Sequence, residues 1–154
     1  MCFLFTKKTP VPVPPEHDFE LDITPESTKP IDAEKIKSII MTKFPEVPEM
    51  LIYIADKTAV APSYNDIAKF LAQDDTNKMG YRSNDRDCDD FAHRLKGQFS
   101  VPGWSHILLG TVWTTGHALN WTITEDNEFV FIEPQADRID PDYGEGKTFR
   151  FFMT

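Results

Sequence analysis

Residues 116–135 read GHALNWTITEDNEFVFIEPQ, and the way this stretch folds back on itself decides the rest of the chain. Two runs rich in β-branched and aromatic residues, 117–124 and 128–135, flank the turn formers Glu125, Asp126 and Asn127. The pattern predicts a β-hairpin closed by a three-residue loop. In that register Thr124 stands opposite Glu128, Leu119 opposite Glu133, and His117 opposite Gln135. Side chains alternate between the faces of a strand, so His117, Leu119, Trp121 and Ile123 share one face with Phe129, Phe131 and Glu133. That face is apolar except for one imidazole and one carboxylate, and it is expected to lie toward the helix of the next segment. Glu133 is the diagonal neighbour of His117, about 7–8 Å away between backbones, a gap a glutamate side chain spans. A slip of one residue would put the two groups on opposite faces.

Upstream the periodicity becomes helical. RDCDDFAHRL, Arg86–Leu95, offers Asp87 as an N-cap with Asp90 three residues on, and Phe91, Leu95 and Phe99 form an apolar stripe that Gly97 frays at its end. Cys88 then falls in the first helical turn. PSYNDIAKFLAQ repeats the grammar, with Ser63 and Asp66 approximating a capping box before Ile67, Phe70 and Leu71. DAEKIKSIIMTKF starts a helix at Asp32, buries Ile36, Ile39, Ile40 and Phe44, and ends at Pro45 and Pro48. MLIYIADKTAV fits a buried helix or a strand, and its length and Pro-Glu start favour the helix. WSHILLGTVW and KTFRFFMT read as further strands. The expected fold is α+β, with N-terminal helices packed on an antiparallel sheet in a single domain, residues 31–154. Residues 1–30 are rich in proline, which suits an arm or an extended wrap.

Charge narrows the partners. With 16 Lys plus Arg against 25 Asp plus Glu, the net charge is −9, which argues against a nucleic-acid phosphate backbone. No apolar run approaches the roughly 20 residues that span a bilayer. The opening MCFLFTKKTP places its charges after a short apolar run, unlike a secretory signal, so the expected compartment is the cytoplasm. In that reducing setting Cys2 and Cys88 are expected as free thiols. The histidines, His17, His93, His106 and His117, are too scattered for a zinc site.

A thiol at a helix front has the positive end of the macrodipole and free backbone N–H groups beside it. Together with the hairpin pair it composes a candidate catalytic triad: Cys88 as nucleophile, His117 as the base that takes its proton, and Glu133 as the carboxylate that orients the imidazole. His106 is a second candidate base, but no acid follows it at a suitable distance, and His93 falls on another side of the cysteine helix. Each of the three also has a plain alternative: a buried structural cysteine, a satisfied core histidine, and a glutamate that ends a strand.

DCDDFA, then GHALNW, then IEPQ at these distances resembles the papain-like C-terminal domain family of the Marasmius oreades agglutinin and related small phage proteins. More distantly it is similar to the transglutaminase-like cysteine peptidases. The resemblance runs from about Tyr53 to Ile139 and implies a papain-like core, a Cys88–His117–Glu133 triad and a peptide or protein substrate. It further implies calcium dependence and, for a phage-encoded chain, the host cytoplasm. The glutamine that papain-like enzymes place shortly before the cysteine has no counterpart in Arg82–Asp85, nor does the agglutinin's sugar-binding trefoil. Asp85, Asp87, Asp89 and Asp90 are expected to oppose thiolate formation. They either cap the helix from solvent or hold a hard cation such as Ca²⁺, although DRDCDD is no EF-hand loop. The leading expectation is a cysteine hydrolase, a peptidase or amidase. The alternatives are an inactive papain-like binding module and a phage accessory or structural protein.

Overall fold

Residue for residue, the hairpin adopts the expected register. In a computed structural model describing residues 21–143 and 146–154, Asn120 pairs with Ile132, Trp121 with Phe131, Thr122 with Val130 and Ile123 with Phe129. The Thr124 N–H donates to Glu128 O at 2.9 Å, and Asn127 closes the three-residue loop at φ 63°, a left-handed conformation that asparagine tolerates. In chain order the elements are β1 (Pro30–Asp32), α1 (Ala33–Lys43), β2 (Ile52–Tyr53), β3 (Thr58–Val60), α2 (Tyr64–Gln73) and α3 (Cys88–Gln98). They continue with β4 (Gly110–Thr114), β5 (Ala118–Ile123), β6 (Phe129–Glu133), β7 (Arg138–Asp140) and β8 (Phe149–Met153). The main sheet has the order β2-β8-β4-β5-β6-β7, and β1 pairs with β3 in a small second sheet.

The three helices start where the caps place them. Asp32 accepts from Lys35 N–H at 2.7 Å, Ser63 from Asp66 N–H at 3.0 Å, and Asp90 from the N–H of the N-cap Asp87 at 3.1 Å. Two expectations are corrected. The sheet is mixed: β2 runs parallel to β8 while the other neighbours are antiparallel. The segment expected to be a helix, 50–60, instead forms the end of a 3-10 turn (Glu49–Leu51) followed by β2 and β3. Ile52 is buried against its partner Phe152, so tertiary packing overrides the local preference.

Helices lie on both faces of the sheet. On one, Ile36, Ile40 and Phe44 pack against Leu119, Trp121, Phe129, Phe131 and Phe152. On the other, Ile67, Phe70, Leu95 and Phe99 pack with Trp104 against Val130 and Ile132. This corrects the orientation expected for the hairpin: the face bearing Leu119, Trp121 and Phe131 meets α1 and Phe44, and α3 sits on the opposite side. Close packing at the centre demands a glycine, since a Cβ at Gly110 would lie 2.3 Å from the Trp121 ring. Within the Pro-rich segment, the described residues Leu21 and Ile23 pack on the second core, and Trp104 Nε1 donates to the Ile23 carbonyl at 3.1 Å. Cys2, His17 and the prolines from Pro10 to Pro15 lie outside the described residues.

Candidate functional site

Asn120 sets the position of the cysteine helix. Its Nδ2 donates to the Ala92 carbonyl at 2.9 Å and to the Gly110 carbonyl at 3.2 Å, while Lys96 Nζ, one turn further along α3, reaches the Leu109 carbonyl at 2.6 Å. These ties lay α3 beside β5 in the same direction. The front of the helix, with Cys88 four residues before Ala92, therefore lies at the end of the sheet where β5 begins and β6 ends. His117 and Glu133 stand at that end, and His117 Nε2 meets Glu133 Oε2 at 2.6 Å, the bridge expected of diagonal neighbours. Gly116, at φ 101°, makes the turn that delivers His117 to the start of β5.

Tyr143 belongs to the same cluster and has no signal in the sequence, because the loop after β7 brings it back over the hairpin. Its ring centroid is 6.1 Å from that of His117 and 5.5 Å from that of Phe131. Burial, followed by the nearby Glu133 and Cys88, pushes its hydroxyl pKa up, which favours the protonated hydroxyl, a hydrogen-bond donor. Cys88, His117, Glu133 and Tyr143 are all half-buried, and Cys88 is a free thiol. Among the described residues its sulfur makes no hydrogen bond, to His117 or to any other group.

The aspartates divide their work. Asp87 Oδ2 accepts the Asn84 N–H at 3.2 Å, Asp90 caps α3, and Asp85 pairs with Arg82 at 3.6 Å. A hydrogen bond between the Asp87 and Asp89 carboxylates holds Asp89 above the usual carboxylate range and Asp87 below it. Asp87, Cys88 and Asp89 present ligand atoms within 4.8 Å of one another. This donor set does not fit Ca²⁺, which takes six to eight oxygen ligands, because it offers two carboxylates and a soft thiol. Of the two readings open for these aspartates, helix capping describes Asp87 and Asp90.

No family model matches the chain, and no curated protein matches its sequence. Solved structures do. PSL1a in a complex with E64 superposes with a TM-score of 0.71 at 19% identity, covering 83% of this chain and 51% of that one. The Polyporus squamosus lectin bound to the human-type influenza-binding epitope Neu5Acα2-6Galβ1-4GlcNAc superposes with a TM-score of 0.69 at 20% identity, covering 83% and 50%. The chain thus spans about half the length of each, and the likeness establishes a shared fold. These findings correct the leading functional expectation. The chain shares its fold with a lectin solved on a glycan, and on that ground the expectation of a cysteine hydrolase, or thiol protease, with a peptide or protein substrate is corrected. Among the described residues no helix is long and apolar enough to cross a membrane.

Proposed function

We propose that this chain is a binding module that takes a carbohydrate where the front of α3 meets the β5–β6 end of the sheet. The observation that carries the reading is the fold it shares, over 83% of its length, with a lectin solved on a sialylated trisaccharide. The side chains gathered there suit such a ligand. Glu133 and Asp87 supply carboxylate acceptors for sugar hydroxyls, the Tyr143 hydroxyl is a donor, and His117 offers its second ring nitrogen. An apolar platform lies close by: Trp113, paired with Ala118 beside His117, stacks on the exposed Phe151 at 4.5 Å and 16° and touches His93 at 5.3 Å. Flat aromatic surface of this kind packs on the C–H face of a pyranose.

Within this reading Cys88, His117 and Glu133 are ligand contacts, and the core is a papain-like arrangement of thiol-bearing helix and sheet, as the resemblance to the agglutinin's C-terminal domain implies. Residues 31–154 form the module, on whose second core the described residues Leu21 and Ile23 pack. Isothermal titration of the full chain against a glycan panel that includes Neu5Acα2-6Galβ1-4GlcNAc tests the reading. Saturable binding that weakens about tenfold or more in His117→Ala and Glu133→Gln is expected, as for loss of one charge-assisted contact. A panel without a single binder, or binding indifferent to both substitutions, would overturn it.

A further inference from the structure

At the other end of α3 lies a second pocket, far from Cys88 along the helix. A cavity of about 250 Å³ opens between α3, the loop joining β2 to β3, and the segment before β4. Ile36 and Leu108 floor it, and Lys96, Asp56, His106 and Thr58 supply its polar groups. An ammonium has three donors, and Lys96 Nζ uses one on the Leu109 carbonyl. Asp56 lines the same cavity, yet among the described residues it forms no ion pair with Lys96. Burial holds Lys96 below the ordinary lysine range, and Asp56 pulls it back up, so the cation is short of solvation and feels the anion across the gap.

We propose that this cavity binds a small zwitterion of the apolar amino-acid type, its carboxylate on Lys96, its ammonium on Asp56 and its side chain against Ile36 and Leu108. Opposite charges that face one space without touching match a ligand carrying both signs, and they disfavour a ligand carrying only one. A chain of four carbons fits the apolar floor without filling the cavity.

The test is titration of the isotope-labelled full chain, followed through its amide resonances, with norleucine, hexanoate and hexylamine. Norleucine is expected to shift the amides of Thr58 and Leu109 saturably and to bind about tenfold more tightly than either single-charge analogue, the worth of one added ion contact. Asp56→Asn, at an exposed position, should weaken norleucine by about the same factor. Lys96→Met should do so too, and because it also strips the Leu109 carbonyl of its partner, Ala59→Leu is the companion variant: it fills the cavity, leaves Lys96 bonded, and should abolish binding. Absence of saturable shifts, equal binding of hexanoate, or full binding by Asp56→Asn or Ala59→Leu would each overturn the proposal. Since no residue here belongs to the Cys88 cluster, glycan binding there can fail without touching this result.

Discussion

Asp66 is 1% exposed and serves two elements at once. Its Oδ1 accepts the Glu26 N–H at 2.9 Å, and its Oδ2 accepts the Ser27 N–H at 3.1 Å, the Ser27 hydroxyl at 2.5 Å and the Ser63 N–H at 3.3 Å. One carboxylate therefore completes the cap of α2 and clamps the extended segment before β1. Asp66→Asn keeps the shape but turns an NH₂ toward hydrogens that need an acceptor. Each hydrogen bond to a charged group is worth about 1 kcal/mol more than its neutral counterpart, and a stranded buried donor costs about 1–3 kcal/mol, which together give a loss of about 3–5 kcal/mol. For a chain of this size that lowers Tm by roughly 10 °C at pH 7. Burial alone would raise the Asp66 pKa, but the hydrogen bonds from Glu26, Ser27 and Ser63 outweigh it and hold the carboxyl below its ordinary value. A depressed carboxylate contributes stability above its unfolded pKa of about 3.9 and loses it as pH falls through the folded value. Calorimetry should therefore show the gap between wild type and variant closing in acid. A Tm change under about 2 °C at pH 7, or a gap undiminished in acid, would refute the reasoning.

The remaining expectations concern charge, packing and thiol chemistry. Asp137 sits at φ 48° and accepts from Asn77 Nδ2, and burial with the nearby Asp74 raises its pKa, so its contribution is lost as pH rises through the folded value. Asp137→Asn should stabilise by about 0.5–1 kcal/mol in urea unfolding at pH 7, with the gain shrinking at low pH. Gly110→Ala drives a methyl into the fully buried Trp121 ring, whose Nε1 is held by the Thr111 carbonyl at 3.0 Å, and should cost about 2–3 kcal/mol in the same assay. Alkylation of Cys88 by iodoacetamide should proceed at the same rate in wild type and His117→Ala, because the sulfur is not hydrogen-bonded to the imidazole. A fall of about tenfold in the variant would show that His117 activates the thiol and would restore a chemical role for the pair.

What the sequence made legible was local. The caps at Asp32, Ser63 and Asp90 act within three residues, and the hairpin register follows from a three-residue turn, so both can be read from adjacent letters. The same register makes His117 and Glu133 diagonal neighbours. The layers were not legible: alternation shows that Leu119 and Phe131 share a face but not which helix covers it, and the choice between α1 and α3 depends on contacts across much of the chain. Asp66 reads as a cap because Ser63 is close, whereas its grip on Glu26 and Ser27 spans about 40 positions. Tyr143 and Lys96 carry no motif at all; each gains its meaning from the groups folded against it.

The placing of β8 has a consequence for synthesis. This strand, Phe149–Met153, is inserted between β2 and β4, so both its neighbours leave the ribosome before it does. Until it arrives, β4 exposes an unpaired edge with Val112 and Trp113 on it, and β2 has no partner in the sheet. The folding chain thus waits with an open seam between β2 and β4, and the interval before β8 docks is the one in which it is most exposed to aggregation.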